Sequence, residues 1–167
     1  MMCVALLFAA VTVSAQSAEE IQASLDRLNK LEKLSKPKNT GLAKVDELLT
    51  KSGDVATESI AISMGLHEAN KLLASENVEE VAKINPDNLQ LLLMGAQKLS
   101  TESLPAVIKL APEAAEEAKT IKNPLKAKGA LSAVNYSKTV AEVVTEETAF
   151  QIKALSEIIK KAKELKK

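Results

Sequence analysis

The segment Asp54–Ala74, DVATESIAISMGLHEANKLLA, places Val55, Ser59, Ile62, Leu66, Ala69 and Leu73 at alternating spacings of four and three. That spacing gathers all six on one face of an α-helix and scatters them over both faces of a strand. The segment is expected to be a helix with this stripe turned to a core. Beside the stripe runs a row of small residues, Ala61, Gly65 and Ala69. A glycine inside a helix costs about 1 kcal/mol relative to alanine, so it signals a backbone packed close by.

Upstream, Ser17 followed by Glu20 is a capping-box pair. It opens a helix with Ile21, Leu25, Leu28 and Leu31 on one face, which Pro37 and Gly41 end. A short helix over 43–51 is expected next, closed by Gly53 before the Asp54 helix begins.

Downstream lies an internal repeat. Residues 73–87 align with 99–113 at an offset of 26, with five identities in fifteen positions: Leu73/Leu99, Glu76/Glu102, Val81/Val107, Lys83/Lys109 and Pro86/Pro112. In each copy a polar cap, Asn77 or Ser103, is expected to start a two-turn helix. A proline then stops it and opens the next helix, where its missing N–H does no harm. Helices are expected near 78–84, 87–99, 104–110 and 112–122.

Asn123-Pro124 opens a helix to about Val144, striped with Ala130, Val134, Ser137, Ala141 and Val144. Its small-residue row, Gly129, Ala133, Ser137 and Ala141, is expected to meet the Ala61/Gly65/Ala69 row or to pack as closely on another helix. Thr145 with Glu146-Glu147 is expected to start the last helix, whose apolar face includes Ile152, Leu155, Ile158 and Ile159. Four helices of about 18–22 residues, each roughly 30 Å long, result. The fold expected is all-α: a bundle of about four long antiparallel helices with a duplicated short-helix unit, with a short α-solenoid as the alternative.

Composition agrees. The 167-residue chain has no Trp, and its aromatics are Phe8, Tyr136 and Phe150. A core of Leu, Ile, Val and Ala suits close-packed helices better than a β-sandwich. Val4–Val13 is an apolar run ending in Val13-Ser14-Ala15, which reads as an export signal over residues 1–15, although no Lys or Arg precedes it. The run falls short of the roughly 20 residues needed to cross a bilayer. Residues 16–167 are then one all-α domain. Cys3 is the one cysteine, so the processed protein would carry no thiol and no disulfide. That favours a bacterial periplasm over an extracellular location.

Net charge is zero but unevenly spread. Residues 16–53 carry seven basic and six acidic groups, residues 54–117 four and eleven, and residues 118–167 eleven and five. The basic C-terminal part is expected to pack beside the acidic middle. The alternative is a surface for an anionic partner, made by Lys153, Lys160, Lys161, Lys163 and Lys167.

No pattern in the chain requires a catalytic residue, cofactor or metal. His67 is the one histidine and lacks the second histidine of a zinc-protease motif. It is expected at a core edge or on the surface. The pairs Glu79-Glu80, Glu116-Glu117 and Glu146-Glu147 are expected at helix starts or facing solvent. A hydrolase would need His67 in a deep pocket beside a hydroxyl and a carboxylate. A nucleic-acid interface lacks its stacking aromatics. The expected role is a non-enzymatic binding or scaffold module acting through a helical surface, with another envelope protein as partner. The alternative is a carrier of lipid or amphiphile, or a module on a membrane surface, whose helices open as those of exchangeable apolipoproteins do.

Overall fold

The computed structural model describes residues 16–75 and 78–164. The expected export segment, the Asn77 cap and Lys167 lie outside the described residues. The elements are α1 (Ala18–Lys33), α2 (Ala43–Leu73), α3 (Val78–Ala82), α4 (Pro86–Lys98), a π-helical segment (Leu99–Ser103), α5 (Leu104–Lys119) and α6 (Pro124–Glu164). They pack into an all-α bundle.

The caps explain the starts of the rods. The Ser17 side chain accepts from the Glu20 N–H at 3.1 Å, and the Glu20 carboxylate accepts from the Ser17 N–H at 3.1 Å, closing the expected capping box. Asn85 caps α4 by accepting from the Asp87 N–H at 2.9 Å. Asn123 caps α6 by accepting from the Leu125 and Lys126 N–H groups. The first turn of α2 is capped from a distance: Glu117 of α5 accepts from the N–H groups of Lys44 and Val45.

Expected breaks are absent at Gly53, at Thr145 and, within the repeat, at Ser103 and Pro112. Gly53 does not end a helix; it lies buried within the 31-residue α2, between buried Ser52 and Val55. A glycine costs a helix only about 1 kcal/mol, and core packing on both sides outweighs it. Residues 145–147 do not start a helix either, since α6 runs unbroken for 41 residues. Thr145 donates back to the Ala141 carbonyl at 2.6 Å, the bond of a mid-helix threonine and not of a cap.

The third difference concerns the repeat. In the first copy Pro86 opens α4 behind the Asn85 cap. In the second copy Pro112 sits inside α5, because the position matching Asn85 is Ala111, which has no oxygen to cap with. Nor does Ser103 cap a helix start. Helical turns continue from α4 into α5 through the π-helical segment, where the Leu104 N–H bonds to the Leu99 carbonyl, five residues back. The widened turn accommodates Pro105, which has no N–H for the ordinary bond and whose ring would crowd the preceding carbonyls. Two similar sequences thus become a short helix plus a start in one place and one long rod in the other.

Contacts between elements give the directions. Ser24 meets His67, and Lys36 lies over Gly53, so α1 and α2 are antiparallel. Gly65 faces Leu92, Ile62 faces Gly95, and Val45 meets Glu117, so α2 and the α4–α5 rod are antiparallel. Residues 37–40 line a depression with 125–132, and Ser59 and Ser63 meet Gln151, so α2 and α6 are parallel. The result is an up-down-up-down bundle. Its diagonal pair α2 and α6 is in close contact, with α1 on one side and the α4–α5 rod on the other.

The core runs the length of this diagonal, with Leu48, Leu49, Leu66, Leu99, Leu155 and Ile158 fully buried. The close approach promised by the small residues is between α2 and α4. A Cβ on Gly65 would stand 2.7 Å from Leu92 Cδ1, and one on Gly95 would stand 3.3 Å from Ile62 Cδ1. The two rows are turned elsewhere at these positions: Gly65 faces Leu92 of α4, Ala61 is exposed, Ala141 lines a groove with α5, and Gly129 faces open space.

Candidate functional site: a polar seam and an apolar groove

Glu147 lies inside the bundle, with none of its surface exposed. The expectation that Glu146-Glu147 marks a helix start or a solvated face is wrong for Glu147. With α6 continuous, positions 140, 144, 147, 151, 155 and 158 recur once per turn and all face the core. The signal was present in the spacing, but a break assumed at Thr145 hid it. Ser24, one turn before Leu28, and Ser63, one turn after Ser59, are buried by the same logic.

These residues converge. Glu147 Oε1 accepts from Ser24 Oγ at 2.6 Å and from Ser63 Oγ at 2.5 Å, and Oε2 accepts from Arg27 Nε at 2.7 Å. Gln151 Nε2 donates to Ser63 Oγ at 2.7 Å and to the Ser59 carbonyl at 2.8 Å. His67 Nε2 stands 3.0 Å from Ser24 Oγ. The Ser24 proton is committed to Glu147, so Nε2 carries the hydrogen and donates to the serine. Phe150 stacks on the His67 ring, with centroids 6.4 Å apart, and the Arg27 guanidinium lies 5.8 Å from the Phe150 centroid. Burial pushes the His67 pKa below its ordinary value, and the Glu147 charge partly opposes that shift.

A hydroxyl, an imidazole and a carboxylate thus meet, but not in the order that activates a nucleophile. A triad serine gives its proton to the imidazole, whereas here the imidazole donates to the serine and the carboxylate takes the serine proton. Ser24 is fully buried in the seam between helices. The cluster joins α1, α2 and α6 by satisfying a buried charge. Among the described residues, no group of three or more His, Cys, Asp or Glu side chains is placed to hold a metal ion.

On the other side of α6 the surface is apolar. A groove of about 470 Å³ runs between α5 and α6, with Val107, Ala111, Pro112, Ala115, Val134 and Ala141 in its walls. Of the expected core stripe, Ala130, Ser137 and Val144 are buried, joined by Ala133 and Val140, whereas Val134 and Ala141 are only partly buried and line the groove. Ile108, 54 % exposed, belongs to the groove, and Leu131, 53 % exposed, lies one turn before Val134 on α6. Lys138 and Glu142 edge it. A depression between α2 and α4 is more polar, with Glu68, Lys83, Asn85 and Asn88 in its walls.

Lys153 and Lys160 are exposed and two turns apart, and Lys153 is occupied by Glu20 at 2.6 Å, which raises its pKa. Lys163, three residues after Lys160, is exposed on the same side of the helix, and Lys161 is half-buried. The apolar face beneath them, with Leu155, Ile158, Ile159 and Ala162, is buried in the bundle. The α6 rod does lie beside α4 and α5. Ion pairs that join elements among the described residues include Arg27–Glu147, Lys44–Glu113 and Lys153–Glu20. No helix among the described residues is long and apolar enough to cross a membrane. Compared with protein-family models, curated proteins and solved structures, the chain has no significant match, so the site is read from its own geometry.

Proposed function

We propose that this protein is an exported, non-enzymatic helical binding module whose α5–α6 groove holds an amphipathic helix of a partner protein of the cell envelope. The observation that carries this reading is the groove itself: an apolar channel between two antiparallel helices, with Ile108 on its wall. Helix-in-groove recognition needs an apolar trough for one face of the incoming helix and charged edges for its flanks. Val107, Ala111, Val134 and Ala141 supply the trough, and Lys138 and Glu142 an edge of both signs. The alanines leave room for large side chains from the partner. The arrangement at Glu147 supports a structural seam, with its serine proton directed away from the imidazole.

A photo-crosslinking side chain at position 138 tests the reading in the protein's own envelope fraction. One partner should be captured, and the double substitution Ala111→Glu and Ala141→Glu should abolish the adduct with helicity unchanged. Absence of an adduct, or adducts indifferent to the groove substitutions, overturns it. A gain of helicity and stability with phosphatidylglycerol vesicles would instead favour an amphiphile carrier.

A further inference from the structure

We propose that α1 is a strap latched onto the α2–α6 pair by the Glu147 carboxylate, and that it opens as a unit while α2, the α4–α5 rod and α6 stay assembled. Four observations carry this. First, α1 lies against α2 and α6 and away from α4 and α5, so the other three rods keep their mutual contacts without it. Secondly, its apolar grip is small. Leu28 and Leu31 are buried, whereas Leu25 is 37 % exposed.

Thirdly, the centre of its seam is polar. Two of the three groups donating to Glu147, Ser24 and Arg27, come from α1, and the third, Ser63, comes from α2. When α1 leaves, water replaces its donors, so no charge is left buried and unpaired. An apolar seam would not come apart so cheaply. Glu20 with Lys153 forms a second, exposed clasp toward the start of α1.

Fourthly, the connection to α2 is built to stop the opening there. Asp46 accepts from the Thr40 N–H and hydroxyl and from the Gly41 N–H. Glu117 of α5 caps the first turn of α2. Neither anchor involves α1. Gly41, at φ +79°, marks the turn beyond which the chain is held. Opening would bare Phe150, now covered between His67 and Arg27. The strap is thus an element of low local stability on a firmer body.

Amide hydrogen exchange of the whole protein tests this. In the native protein the inner amides of α1 should exchange about a hundredfold faster than those of α2 and α6 around Ser63 and Glu147, as a sub-global opening requires. Glu147→Gln keeps the shape and removes the charge, and should speed α1 by about a further tenfold with α5 unchanged. Arg27→Gln cuts the latch from the strap side and should do the same; it decides the matter if the Glu147 variant does not fold. Exchange of α1 in step with the other rods overturns the proposal. So do variants that leave the α1 rate unchanged or speed every helix alike.

Discussion

His67 is the residue whose chemistry the fold alters most legibly. It is half-buried against Phe150 with its Nε2–H on Ser24, and burial holds its pKa below the ordinary value near 6.5. Above that value the ring is neutral in both the folded and the unfolded chain. As pH falls through it, the unfolded chain takes up the proton and the folded chain resists, so stability falls with pH. His67→Gln keeps a donor for Ser24 and removes the titration. Urea midpoints measured at about pH 7.5 and 5.5 should therefore show the native protein losing more stability than the variant across that interval. An equal loss in both would mean that His67 titrates as it does in the unfolded chain. The expectation of a core-edge histidine was legible from its place beside the Leu66 stripe. Its partners were not, because they come from α1 and α6, and no local spacing records which distant serine will face it.

Element boundaries followed a different rule. Breaks read from single residues held where a side chain supplied a cap, at Ser17, Asn85 and Asn123, and failed where none did, at Gly53, Ser103, Pro112 and Thr145. Gly53 offers a direct check. The atoms nearest a Cβ there belong to the flexible end of the Lys36 side chain, from Nζ at 2.6 Å to Cδ at 3.4 Å, and the backbone is already helical. Gly53→Ala should therefore stabilise the protein by up to about 1 kcal/mol, read as a rise in the thermal or urea midpoint. A fall of the same size would show that the glycine is needed as the stop its sequence suggests. The contrast with Gly65 is instructive, since there the Cβ would press on Leu92 in the packed α2–α4 contact.

At the scale of the molecule, the α2–α6 diagonal carries the core and the two flanking layers differ in kind. The α4–α5 rod is joined to it by apolar packing from Leu89 to Ala118, and α1 by a short apolar patch and the polar seam. Leu66, fully buried on α2, lies one turn after Ile62, which faces Gly95 of α4, and is part of the apolar core. Leu66→Ala should cost about 2–5 kcal/mol of global stability, because the close-packed surroundings cannot collapse into the space. The urea midpoint measured by circular dichroism should fall accordingly, with the spectrum still helical. A loss confined to α1 would contradict this division of the molecule into a body and a strap.

The one-dimensional sequence was enough for what depends on local periodicity and composition: an aromatic-poor, all-α chain, the capped starts of its rods, and the stripe from Val55 to Leu73. Tertiary packing alone decided which helices fuse, because burial on both sides of Gly53 and Thr145 outweighs the small local preference for a break. It also decided which groups meet Glu147, whose place on the inward face is already marked by its spacing: two donors from a helix some 120 residues away in sequence replace its water. A helix face is encoded every third or fourth residue, but its partner is encoded nowhere nearby, and the seam and the groove both lie between partners.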